Sequence, residues 1–173
     1  MSGEPLIRVL QERDWPRIRA LEEQAYAELG LSEGEAALRS RAAASPATNF
    51  VVVDADRVVG YLLTLPYPAG RFPDLTRDEQ QVHDERANLH LHDIVIDRQF
   101  QVRGLPERLL AVITGAAAGL GFEQLSMVSL RRSRRRWLRM GFVEQPEVVV
   151  PAYYGEGAAY LTHPCRVPAE LTS

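Results

Sequence analysis

The chain has no lysine: all 20 of its basic residues are arginine. No ε-amine of its own can therefore act as an internal acceptor for a transferred group. Cysteine is nearly absent too. The single Cys165 has no internal disulfide partner, which suits a reducing cytoplasm. No zinc-type Cys/His spacing exists, so no metal is expected. The longest weakly polar run, Leu109 to Phe122, is too short to span a membrane and is rich in Ala and Gly. Met1 to Pro5 offers no basic stretch followed by an apolar block, so no secretory signal is expected, and the expected location is the cytoplasm.

What is present suits one well-buried core: 173 residues, 46% hydrophobic and 25% charged, read as a single domain over 1–173. The net charge of −3 is spread unevenly. Six of the 20 arginines lie between Arg131 and Arg139, and the other 14 face 23 acidic residues. That cluster has three open readings: a solvated helix face, a phosphate-binding set of guanidinium groups, or a patch for an acidic macromolecule. The acidic remainder of the chain argues against nucleic acid.

Hydrophobic periodicity divides the chain into elements. Leu6 to Leu10 reads as a strand. Asp14 is placed as an N-cap for a helix carrying Trp15, Ile18, Leu21, Ala25 and Leu29 on one face, with Gly30 as its stop. Ser32-Glu33-Gly34-Glu35 has the capping-box pattern and opens a second helix that should end before Pro46. Phe50 to Val53 and Val58 to Leu65 flank a polar tetrapeptide, a hairpin signal. Pro66 to Asn88 is a long polar loop, which in a compact domain is expected to be functional or mobile. Strand character returns over Leu89 to Ile96, followed by a helix from Leu105 to Leu120 with Leu105, Leu109, Val112, Ile113, Ala116 and Leu120 on one face. A strand over Leu125 to Leu130, a short helix over Ser133 to Met140 ended by Gly141, and closing strands over Phe142 to Val150 and Ala158 to Thr162 complete the order β-α-α-β-β-β-α-β-α-β-β. A central β-α-β unit with antiparallel neighbours implies an α/β (α+β) fold on a mixed sheet.

The most informative segment is Gln101-Val102-Arg103-Gly104-Leu105-Pro106, a glycine turn between an apolar strand and an amphipathic helix. The first turn of a helix has backbone N–H groups without intrahelical acceptors, and the peptide dipoles add partial positive charge there. Such a seat suits a diphosphate. A helix start with no ligand is the alternative reading.

The spacing resembles the Q/R-x-x-G-x-G/A signature of the GNAT superfamily of N-acetyltransferases. Gln101 and Gly104 match it, while Pro106 stands where the family has Gly or Ala and has no N–H to offer. The resemblance implies the GNAT-like acyl-CoA N-acyltransferase fold and acetyl-CoA as co-substrate. It implies a phosphate seat formed by Gln101, Val102, Arg103, Gly104, Leu105, Pro106 and Glu107, and main-chain contacts from Ile94, Val95 and Ile96 of the incoming strand. Ser133, Arg136 and Trp137 are expected on the cofactor side of the next helix, with arginine available for the 3′-phosphate.

Transfer to an amine needs a base and an acid. In Leu89 to Ile96, strand alternation places His90 and His92 on one face with Asp93 on the other. An imidazole suits proton removal from an amine, so His90 and His92 are the candidate catalytic residues. Partly buried, hydrogen-bonded sheet histidines are the alternative. The family commonly has a Tyr acid where this chain has Trp137, and an indole donates no useful proton. Tyr153, Tyr154 and Tyr160 are substitutes among which nothing selects. The expected partner is a small-molecule amine, with neither nucleic acid nor membrane, and a homodimer is compatible with the fold. Asp74, Asp78, Glu79, Asp84 and Glu85 of the long loop are placed to attract a cationic acceptor. Two other readings stand beside the enzyme: a GNAT-like module that binds coenzyme A esters or a protein without turnover, and an arginine-patch interaction protein.

Overall fold

The structure, a computed structural model, describes residues 3–76, 86–101 and 104–165. Its strands are β1 (Leu6–Val9), β2 (Phe50–Asp54), β3 (Arg57–Pro66), β4 (Asn88–Ile96), β5 (Gln124–Ser129), β6 (Val143–Glu144) and β7 (Ala159–Pro164). Its main helices are α1 (Trp15–Tyr26), α2 (Glu35–Ala42), α3 (Leu105–Gly119) and α4 (Arg131–Arg139). The element order is the one the sequence implies. The strands form one mixed sheet in the order β1-β2-β3-β4-β5-β7-β6, antiparallel except for the β4–β5 pair. That parallel pair is joined through α3, as a crossover requires. Among the described residues, no helix is long and apolar enough to cross a membrane.

The core has two halves, one on each face of the sheet. On one face Leu105, Leu109, Ile113 and Ala117, spaced at every fourth residue of α3, meet Leu89, Leu91, Ile96, Phe122 and Leu125. On the other, Trp15, Ile18, Leu21 and Leu38 of α1 and α2 cover Val51, Val58, Tyr61, Leu63 and Val95. Each fully buried Leu or Ile contributes about 2 kcal/mol of transfer free energy, so both faces are held firmly. The β2–β3 hairpin turns at Ala55 and Asp56, both with positive φ (45° and 65°), the combination that a two-residue turn between right-twisted strands needs.

Several local expectations need correction. Asp14 makes no N-cap bond; it is buried and pairs with Arg8, both guanidinium nitrogens at 2.8 Å, and accepts from the Gln11 amide. An ion pair won over the cap because β1 brings a cation alongside. Ser32 and Glu33 form no capping box: α2 begins after Gly34, the Glu33 side chain turns inward, and the exposed Ser32 donates to Glu22 instead. Leu29 and Leu120 are exposed, because each follows the last full turn of its helix. Phe142 to Val150 forms a strand only at Val143–Glu144, with Val149 standing 85% exposed beyond it.

Candidate active site

β4 and β5 are paired only over Asn88–His90 and Gln124–Ser126. Beyond that point β5 is bonded to β7 alone, and the β5-facing edge of β4 has no strand partner. The gap opens into a cavity of about 370 Å³ bounded by α1, β4, the start of α3, β5 and α4. His92, Ile94, Val95, Ile96, Gln101, Pro106, Ser133, Arg136 and Trp137 all lie on its wall, so most of the expected site residues are brought together. His90 does not line it, and Val102 and Arg103 lie outside the described residues.

The seat at α3 is built by Gly104, which is left-handed (φ 68°) and where a Cβ would meet only the Glu107 carboxylate, at 4.0 Å. The first intrahelical bond runs from the Arg108 amide to the Gly104 carbonyl at 3.1 Å. The amides of Leu105 and Glu107 precede it and have no intrahelical acceptor, while Pro106 presents its ring to the cavity instead. The Leu105 side chain points into the core. Gln101 secures the turn by donating through Nε2 to the Ile96 carbonyl at 2.9 Å. A second, more open groove of about 760 Å³ lies between α3, α4 and β7, with Glu107, Leu110, Thr114, Arg136, Arg139 and His163 among its walls. Arg136 faces both.

The arginines of α4 do not share one solvated face. Arg132 donates to the Ala25 carbonyl at 3.2 Å and lies over the Tyr26 ring. Arg134 pairs with Glu144. Arg136 and Arg139 border the grooves. A nine-residue helix turns these side chains to every side. Trp137 is buried and packs edge-on against Phe142 at 5.7 Å.

Strand alternation fails at the centre of β4. Leu63 faces Asp93 and Thr64 faces Leu91, so His92 is the extra residue of a β-bulge. Leu91 and Ile94 both pack on the α3 side, and the two residues between them both turn to α1 and α2. Asp93 therefore does not point away from the histidines.

Two polar clusters result. In the first, His92 Nε2 meets Glu33 Oε2 at 2.6 Å, and the same carboxylate takes Arg41 Nε at 2.8 Å. All three side chains are buried. Burial alone would raise Glu33, but His92 and Arg41 outweigh it and hold its carboxyl below the ordinary range. Glu22 fixes this link by accepting from Ser32 Oγ and the Glu33 amide, both at 2.7 Å. In the second cluster, Asp93 accepts from Tyr61 at 2.7 Å and lies against Tyr26, whose hydroxyl is 3.5 Å from the Ile94 carbonyl. Burial raises Asp93 to about 7, with Glu33 and Glu22 adding to it against the two phenols.

His90 is 2% exposed, stacks on Tyr160 and shares Ser126 with Asn88: Asn88 Nδ2 donates to Ser126 Oγ, which lies 2.9 Å from His90 Nδ1. Burial, then the nearby His92 and Arg41, push its ring well below the ordinary value. It is a neutral imidazole one layer behind the cavity. Over it lies the first part of the long loop, with the Gly70 amide donating to Tyr160 at 2.9 Å and Phe72 against Tyr154 and Tyr160. Asp74 bonds to Thr76 and offers its carbonyl to Arg41; Asp78, Glu79, Asp84 and Glu85 lie outside the described residues.

Glu33, Asp93, Tyr26 and Arg132 were not candidates from sequence. A bulge leaves no compositional mark, and Glu33 carries a capping pattern that hides its inward role. Among the described residues, no group of His, Cys, Asp and Glu is placed to hold a metal ion.

The family model for the acetyltransferase (GNAT) family matches residues 15–142, and the chain belongs to that family. No curated protein matches it in sequence. Among solved structures it is similar to Ard1 from Thermoplasma volcanium, at 15% identity over 92% of this chain and 95% of that one, with a TM-score of 0.70. It is similar to the loading GNATL domain of CurA from Lyngbya majuscula, at 18% identity over 94% and 98%, TM-score 0.72. It is also similar to the GNAT family N-acetyltransferase YhbS from Escherichia coli in complex with CoA, at 16% identity over 94% and 82%, TM-score 0.65. At these identities the likeness is one of fold.

Proposed function

We propose that this protein moves an acetyl or short acyl group from coenzyme A to a primary amine of a small molecule, in the cytoplasm. The observation that carries the reading is the parting of β4 from β5 into a cavity that ends at the uncapped start of α3. A pantetheine arm laid in the gap finds the edge of β4 that has no strand partner, and a diphosphate finds the Leu105 and Glu107 amides. Arg136, facing both the cavity and the outer groove, suits a nucleotide phosphate.

His92 is assigned as the base. With Nε2 held by Glu33, Nδ1 is the nitrogen left to take a proton from the amine, directly or through water. His90 stands behind it as a neutral ring that adds no positive charge of its own beside the cavity. The amine attacks the thioester carbonyl, the carbon–sulfur bond breaks, and the acyl group leaves on nitrogen. A second reading, a module that binds coenzyme A esters without turnover, draws on Trp137 standing where the family has a tyrosine.

Calorimetric titration with acetyl-CoA, followed by thiol release across a panel of amines, tests both. Binding with amine-dependent thiol release supports the enzyme, binding alone supports the module, and no binding removes both. His92→Ala is expected to lower kcat by about a hundredfold, with acetyl-CoA affinity unchanged. Equal kinetics in the variant would withdraw the assignment of His92.

A further inference from the structure

Resting on the acyl-transfer reading, the departing thiolate needs a proton, and Trp137 cannot give one. Among the described residues, which include all six tyrosines of the chain, Tyr26 is the tyrosine on the cavity wall. The other candidates point elsewhere: Tyr160 bonds to Gly70 and stacks on His90, and Tyr153 and Tyr154 stack on each other beside the long loop. Tyr26 comes from the last turn of α1, and Arg132 clamps that turn from α4 by bonding to the Ala25 carbonyl and covering the ring. Its hydroxyl lies between the Ile94 carbonyl and the carboxyl of Asp93, which Tyr61 holds from behind.

We propose that Tyr26 and Asp93 form a two-membered proton relay to the leaving thiolate, entering from α1 and the β4 bulge rather than from α4. As the carbon–sulfur bond breaks, the electron pair stays on sulfur. The Tyr26 hydroxyl gives its proton to that sulfur and takes the proton of the Asp93 carboxyl. The products are the amide, the free thiol and an Asp93 carboxylate, which solvent reprotonates. Of the two protons lost by the ammonium form of the substrate, His92 passes both to water, so one proton is released per turnover.

The bulge is what makes this possible. Had β4 alternated regularly through His92, Asp93 would face α3 and could not reach Tyr26. Burial keeps the carboxyl protonated up to about neutrality, whereas the phenol alone is pushed well above its ordinary value and would be a poor acid without a donor behind it. Base and acid thus stand in neighbouring residues with different surroundings: an imidazole hydrogen-bonded to Glu33, and a carboxylic acid among phenols and carboxylates.

The test compares two acyl donors in the full chain. Acetyl-CoA leaves as a basic thiolate that needs a proton. Para-nitrophenyl thioacetate leaves as a weakly basic thiolate that does not. Tyr26→Phe is expected to lower kcat/KM for acetyl-CoA by about a hundredfold, yet to change that for the aromatic donor by less than about threefold. Asp93→Asn, which keeps the side-chain shape, is expected to show the same donor-dependent pattern, and it decides the question should Tyr26→Phe fail to fold. Wild-type kinetics on acetyl-CoA, or equal losses on both donors, would overturn the relay while leaving acyl transfer standing. Absence of thiol release by the wild type with every amine would instead bring down the acyl-transfer reading, and the relay with it.

Discussion

At the scale of single residues, the site stores opposed titrations. Asp93 takes up its proton at about 7 in the folded chain and at 3.8 when unfolded. Between those values the folded state binds more protons, so stability falls as pH rises from about 4 to about 7. His90 acts in the other direction: its ring stays neutral when folded, so acid below its ordinary value of 6.5 favours the unfolded chain. Glu33, held below its ordinary range, adds stability that is likewise lost in acid. Replacing Asp93 by Asn removes only the first of these. The variant is expected to lose less stability than the wild type between about pH 5 and about pH 8, by an amount on the order of a few kcal/mol. Parallel melting temperatures across that range would show that Asp93 is ionised in the fold.

At the scale of elements, the sequence was legible where burial is periodic and illegible where two strands lose step. α3 was readable because Leu105, Leu109 and Ile113 recur along one stripe, and β3 because its interior is β-branched or apolar on both faces. The glycine turn was readable because the left-handed Gly104 leaves a mark in composition. Of the candidate site, His92 and the cavity-lining part of β4 could be named from sequence. Asp93 could not, since period-two alternation assigns it to the wrong face unless the bulge is known. Glu33 was hidden because a carboxylate two residues before a helix has the same signature whether it caps the helix or turns into the protein. The pairing of β3 with the cavity-lining end of β4 also rests on one close approach that is legible only in three dimensions. Gly60 of β3 lies so near β4 that an added Cβ would stand 3.0 Å from the Val95 carbonyl oxygen and 3.4 Å from Ile96 Cα, both main-chain atoms. Gly60→Ala must therefore push β4 towards the cavity. A loss of about 1–3 kcal/mol in unfolding free energy is expected, with weaker acetyl-CoA binding in the same titration. An alanine variant that binds and melts like the wild type would mean that the position of β4 does not set the width of the gap.

At the scale of the whole molecule, charge is segregated. An acidic chain of net charge −3 carries six of its 20 arginines between Arg131 and Arg139, and the fold turns Arg132 and Arg136 of that stretch to the main cavity. A polyanionic nucleotide would be repelled by most of this surface and drawn to that strip. The attraction is long in range but shallow in water, where added salt shortens it to about 10 Å at 0.1 M. Affinity for acetyl-CoA is therefore expected to weaken by about tenfold between roughly 0.05 and 0.5 M salt. Arg136→Ala is expected to raise Kd by about tenfold at low salt, the equivalent of one charge-assisted contact near 1.4 kcal/mol, and to flatten the salt dependence. Acetyl-pantetheine, which has the thioester arm but no phosphates, should respond to neither change. If the fragment and the full cofactor weaken equally with salt, the arginines of α4 serve the packing of the helix against α1 and β6 rather than recognition of the nucleotide, and the outer groove has no part in holding it.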